Sequence, residues 1–150
     1  MTTEFDFFDK TFRAIVKNSD VKVYNEASGV SLDSSISFDS LKKEFTSIDY
    51  FVVSVVSELI LTMLKLAKKK GQILQDLEAK VNLKIKNPMY LLNVVGYEEK
   101  SSIEEVQIDL YYFSFLEGNE LEKFLQEVLD RTLIYNTFKD KININFKKVL

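Results

Sequence analysis

Cysteine and histidine are both absent from the 150 residues. Without cysteine there is no disulfide, thiolate metal site, iron-sulfur cluster, redox dithiol or cysteine nucleophile. Without histidine the commonest general base near neutral pH is gone, together with the commonest transition-metal ligand and every Ser-His-Asp triad. Proline occurs once and glycine four times, so the chain has few obligatory breaks. Its formal net charge of -3 lacks the basic excess of a domain that binds nucleic acid by counterion release. Neither a calcium loop nor a glycine-rich phosphate loop is found, and no cofactor or metal is expected.

What remains fits one soluble globular domain spanning residues 1–150, with no repeat, linker or low-complexity tract. At this length a domain buries roughly two-thirds of the surface of its unfolded chain and needs no staples. Residues 1–10 mix acids with Phe5, Phe7 and Phe8 and lack the basic, apolar and small-residue regions of a signal peptide, so a cytoplasmic location is expected.

Residues 11–27 alternate as a hairpin: Phe12, Ala14 and Val16 precede a turn at Asn18, Ser19 and Asp20, and Val21 and Val23 follow it. After a second turn at Ala27, Ser28 and Gly29, the alternation of Val30, Leu32, Ser34, Ile36 and Phe38 predicts a third strand. Residues 39–45 are polar and read as a loop or a single helical turn. Thr46 and Asp49 have the spacing of a capping box, and residues 50–70 run without glycine or proline to Gly71. This helix is apolar on nearly every side, so it must be surrounded. Glu58 at its middle and Lys65 near its end argue against a membrane span, which needs about 20 apolar residues. A domain of this size does not easily enclose such a helix alone, and a second copy of the chain is the economical cover. Lys68, Lys69 and Lys70, just before Gly71, read as a helix end whose cations complement the macrodipole, in preference to a phosphate site.

Two long alternating strands follow, at residues 74–87 and 103–115, separated by the apolar insertion of residues 89–100. Asn119 with Glu122 has the form of a second capping box for an amphipathic helix carrying Leu121, Phe124, Leu125, Val128 and Leu129, with Glu127 placed to pair with Arg131. Ile142, Ile144 and Phe146 mark a final strand. The class is α+β.

Three stretches carry a resemblance. LAKKKGQILQDLEAKV, ELEKFLQEVLDRTLIYNTFKDKININF and the insertion MYLLNVVGYEEKSSIEEVQIDLYY resemble the central helix and following strand, the last helix with its Asn-Thr turn and closing strand, and the inter-strand loop of the OsmC/Ohr proteins (osmotically inducible protein C and organic hydroperoxide resistance protein). The match covers residues 46–150 in detail and the first three strands by order. It implies an OsmC-like fold: an antiparallel sheet, a long central buried helix and a second amphipathic helix, in an intertwined homodimer whose active site lies at the subunit interface. The family reduces organic hydroperoxides with a peroxidatic and a resolving cysteine. Counting from Gly71 and from Asn136 and Thr137 puts those two positions at Glu58 and Thr132, and the family's helix-start glutamate at Ile48. Arg13 and Arg131 are the only candidates for its arginine.

Neither a carboxylate nor a hydroxyl replaces a thiolate in attack on an O–O bond, so thiol peroxidase activity is expected to be lost. The dimer then serves as a binding protein or a structural one, with a small apolar ligand at its interface and neither nucleic acid nor membrane as partner. Glu58 is the leading ligand-binding candidate, with Ser57, Thr132, Arg13 and Arg131 around it; its plainer role is a structural ion pair or a solvated position at the dimer mouth. The alternative is an enzyme that detoxifies hydroperoxides by a route without cysteine, or that uses Glu58 as an acid or base. A Ser57-Lys65 dyad finds no support in the spacing. Tyr111, Tyr112, Phe113 and Phe115 read as strand packing more readily than as a pocket lining.

Overall fold

The computed structural model describes residues 6–150, so Met1–Phe5 and the Phe5 reading lie outside the described residues. The chain forms two compact units, Met1–Tyr50 and Phe51–Leu150.

The first unit is an antiparallel meander of β1 (Arg13–Lys17), β2 (Asp20–Tyr24) and β3 (Gly29–Leu32). Its first turn is made by Asn18 and Ser19, both at positive φ (52° and 72°), the backbone that a two-residue hairpin needs to match strand twist. The second is held by Asn25, whose Oδ1 accepts from the N–H groups of Ala27 and Ser28, both at 2.9 Å. Gly29 is required there, because a Cβ would stand 2.6 Å from that of Tyr24 and 2.8 Å from the Val23 carbonyl. The third strand is shorter than its alternation predicts and ends at Leu32. Beyond it the Ser34 and Ser35 carbonyls accept from the N–H groups of Ser47 and Ile48, so this backbone is committed to a helix start and cannot extend the sheet. Among the described residues no hydrophobic side chain of this unit is fully buried.

Thr46 and Asp49 form the capping box: the Thr46 N–H donates to Asp49 Oδ2 at 2.8 Å, and the Asp49 N–H to Thr46 Oγ1 at 3.3 Å. From this cap runs α1 (Ser47–Lys69), the one helix among the described residues whose length and composition would suffice to cross a membrane.

The second unit places α1 against a three-stranded sheet of order β4-β5-β6, with β4 (Leu74–Lys86), β5 (Ser102–Ser114) and β6 (Ile142–Lys148). A short helix α2 (Pro88–Leu91) lies in the insertion, and α3 (Gly118–Asp130) and α4 (Leu133–Phe138) connect β5 to β6. The strands alternate as the sequence predicts. Val106, Ile108, Leu110 and Tyr112 of β5 are buried, with Ile142 of β6, beneath Val55, Leu59, Met63, Leu66 and Ala67 of α1 and Phe124 and Val128 of α3. Tyr112 belongs to this core, and burial raises its phenol pKa. Of the aromatic run Tyr111, Tyr112 and Phe113 lie on β5, whereas Phe115 lies beyond the strand and is exposed, edge to face with Phe113 at 5.0 Å.

Two expectations are corrected, on strand direction and on the cap of α3. The sheet is antiparallel between β4 and β5 but parallel between β5 and β6. A parallel neighbour needs a crossover of a dozen or more residues, and the α3–α4 segment supplies it. In the single chain α1 is buried along one stripe, and Leu61 and Leu64 on its other side are exposed, since only one face of the helix meets the sheet. Asn119 does not cap α3. The helix starts at Gly118 with Glu117 at the N-cap, so Asn119 is already inside the first turn.

Candidate functional site

The site lies where α3 gives way to α4. Arg131 closes α3, its N–H donating to the Glu127 and Val128 carbonyls, and the Thr132 N–H donates to the Leu129 carbonyl at 3.1 Å. Thr132 then takes an extended backbone (φ -92°, ψ 105°) as the N-cap of α4. A threonine here ordinarily caps the new helix with its hydroxyl. Buried Thr132 does not, because its Oγ1 donates back to the Val128 carbonyl at 2.7 Å. The first N–H groups of α4 therefore need an acceptor from elsewhere.

Glu58 of α1 supplies it. The Leu133 N–H donates to Glu58 Oε2 at 3.0 Å and the Ile134 N–H to Oε1 at 2.7 Å, a contact across 75 and 76 positions of sequence. A carboxylate suits this place twice over, as a two-oxygen acceptor for two adjacent donors and as a negative charge at the positive end of a helix. The rest of the corner is braced by the Asn-Thr pair. Asn136 Nδ2 donates to the Asp130 carbonyl at 2.8 Å, and Thr137 Oγ1 to the Leu133 carbonyl at 2.9 Å.

The structure thus brings Glu58 and the Thr132 turn together, the two places where the resemblance puts cysteines. Among the described residues of its unit Glu58 pairs with backbone amides and not with Arg131. Arg131 pairs with Glu127, Nη2 to Oε1 at 3.6 Å, as the i, i+4 spacing predicts. Glu127 is shared, with Lys70 Nζ at 3.0 Å from its Oε2, and the Lys70 ammonium, assisted by Arg131, holds this carboxyl below its usual pKa. Ser57 is half-buried beside Glu58 and takes no part in the contact. Arg13 belongs to the first unit, its guanidinium 6.0 Å from the Tyr24 ring centroid. Ile48, also of that unit, brings no carboxylate to the helix start. Among the described residues no three carboxylates gather to hold a metal ion. Sequence reasoning missed α4 and the amides of Leu133 and Ile134; the only signal for them was an acid stranded in an apolar helix.

No family model and no curated protein matches the sequence. Solved structures do match in shape. An OsmC-like protein from Mycoplasma pneumoniae superposes with a TM-score of 0.69 at 18% identity, over 95% of this chain and 100% of that one. The chain has the OsmC/Ohr fold. Other structures with this OsmC/Ohr fold include an organic hydroperoxide resistance protein OsmC from Legionella pneumophila, with a TM-score of 0.60 at 10% identity over 95% of this chain and 98% of that one. The organic hydroperoxide resistance protein OhrB of Bacillus subtilis superposes with a TM-score of 0.56 at 7% identity, over the same shares of the two chains.

Proposed function

We propose that this chain is a divergent, cysteine-less relative of the OsmC/Ohr proteins that has lost thiol peroxidase chemistry. It works in the cytoplasm as a homodimer, and its role is to bind a small molecule or to serve as a structural dimer. One observation carries the reading: the carboxylate of Glu58 is spent on the α4 amides at the place where a peroxidase would keep its thiol pair. Both oxygens are engaged in holding the backbone, which disfavours Glu58 as an acid or base, and no sulfur exists to be oxidised and reduced.

Dimerisation is supported by what each unit leaves uncovered. The meander of the first unit has no buried hydrophobic side chain among its described residues, and Ile15 and Val16 of β1 are exposed. A small sheet needs a covering layer to be stable. In the second unit Leu61 and Leu64 of α1 and Leu133 of α4 are exposed. Apolar surface of this kind on each unit fits a covering partner, and a second copy of the chain serves with no further component. In this arrangement the whole chain acts as a single domain, α1 is a core helix, and neither membrane nor nucleic acid is required.

The test is an assay of cumene hydroperoxide reduction with dithiothreitol as electron donor. Consumption with the purified protein is expected to equal the protein-free background. Turnover proportional to protein concentration would overturn the proposal.

A further inference from the structure

The end of α1 carries Lys65, Lys68 and Lys69, with Lys70 just beyond it, and cations there complement the helix dipole. The structure gives them different work. Lys70 is drawn to Glu127 of α3. Lys65 and Lys69, one turn apart and therefore on the same face of the helix, join Thr62, Leu66 and Arg131 around a cavity of about 410 Å³. Among the described residues neither Lys65 nor Lys69 has a carboxylate within 4.0 Å, and Arg131 divides its only acid with Lys70. Three cations from two helices thus converge on one concavity with less than one carboxylate to balance them. Glu58 lies one turn before Thr62, but its oxygens are taken by the α4 amides.

Like charges around a shared space repel, and an anion placed between them turns that repulsion into attraction. The groups present are those that recognise an oxyanion: a guanidinium fork, two ammonium point charges and a hydroxyl. Their combined charge matches the roughly -2 of a phosphoryl group better than the -1 of a carboxylate. Leu66 and the aliphatic lysine stems supply apolar surface for an organic body, and the volume falls within the usual range of small-molecule sites.

We propose that this cavity binds a small phosphoryl-bearing molecule, with Lys65, Lys69 and Arg131 on the phosphoryl oxygens and Thr62 as an additional hydrogen-bonding group. This rests on the binding form of the function proposed above and names its ligand class.

The experiment is calorimetric titration at low ionic strength with phenyl phosphate and, separately, with neutral benzyl alcohol. Saturable binding of phenyl phosphate at one per chain is expected, weakened about tenfold or more when Lys65→Gln and Lys69→Gln are combined. Lys84→Gln on β4 should leave it unchanged, and circular dichroism of each variant should match the parent. Phenyl phosphate affinity unaffected by the double replacement would overturn the site. Benzyl alcohol bound as tightly as phenyl phosphate would overturn the ligand class and leave a binding pocket. Failure of both probes to bind would overturn the site.

Discussion

Glu58→Ala lowers the stability of the protein by about 1–3 kcal/mol, the cost of leaving the exposed Leu133 and part-buried Ile134 amide donors without the charged acceptor they share. The loss is local before it is global. α4 has six residues and no side-chain cap of its own, so once the carboxylate is gone its first turn opens while the α1 core remains packed. Hydrogen exchange should show the Leu133 and Ile134 amides losing protection well ahead of those of β5. Glu58→Gln should cost less than Glu58→Ala, since one carbonyl oxygen still accepts. Unchanged exchange at Leu133 and Ile134 in the alanine variant would show that the carboxylate does not hold the turn.

Leu59→Ala, one residue away, should cost about 2–5 kcal/mol by a different mechanism. Leu59 is 0% exposed within the hydrophobic core, so truncation removes buried methyl groups and leaves a void in that continuous core. Leu59→Met, which preserves volume, should cost under about 1.5 kcal/mol. Urea midpoints measured at one protein concentration give the comparison, because stability that depends on association shifts with concentration. Here the exchange protection of β5 should fall together with that of α1. A Leu59→Ala variant as stable as the parent would remove α1 from the core. Two neighbours on one helix thus separate the latch from the core that positions it.

Which parts of this fold were readable in the sequence follows from the range of the interactions involved. The hairpin at Asn18 and Ser19 and the box at Thr46 and Asp49 are each decided within four residues, and both formed as their spacing predicts. The long strands were readable because burial on one face writes a period of two into β4 and β5. The end of β3 was not, since the alternation continues to Phe38 while the backbone of Ser34 and Ser35 is claimed by the start of α1. Asn119 and Glu122 had the right letters in the wrong frame, because α3 begins at Gly118. The parallel placement of β6 depends on a crossover and leaves no local mark. At the candidate site the sequence drew attention to Glu58 as a costly acid in an apolar helix, and the resemblance drew attention to Thr132. That Glu58 meets backbone amides could not be read, since its partners stand more than 70 positions away and peptide N–H groups have no residue identity.

The proposal to be tested is a dimer in which the Glu58 carboxylate holds α4 where the resemblance places a thiol pair. Native mass spectrometry of the purified protein, set beside its denatured mass, tests it most directly. The account predicts a species of twice the 17.4 kDa chain mass, persisting on dilution to micromolar concentration. A monomer under those conditions would leave the apolar faces of the meander and of α1 uncovered in a stable protein, and would contradict it.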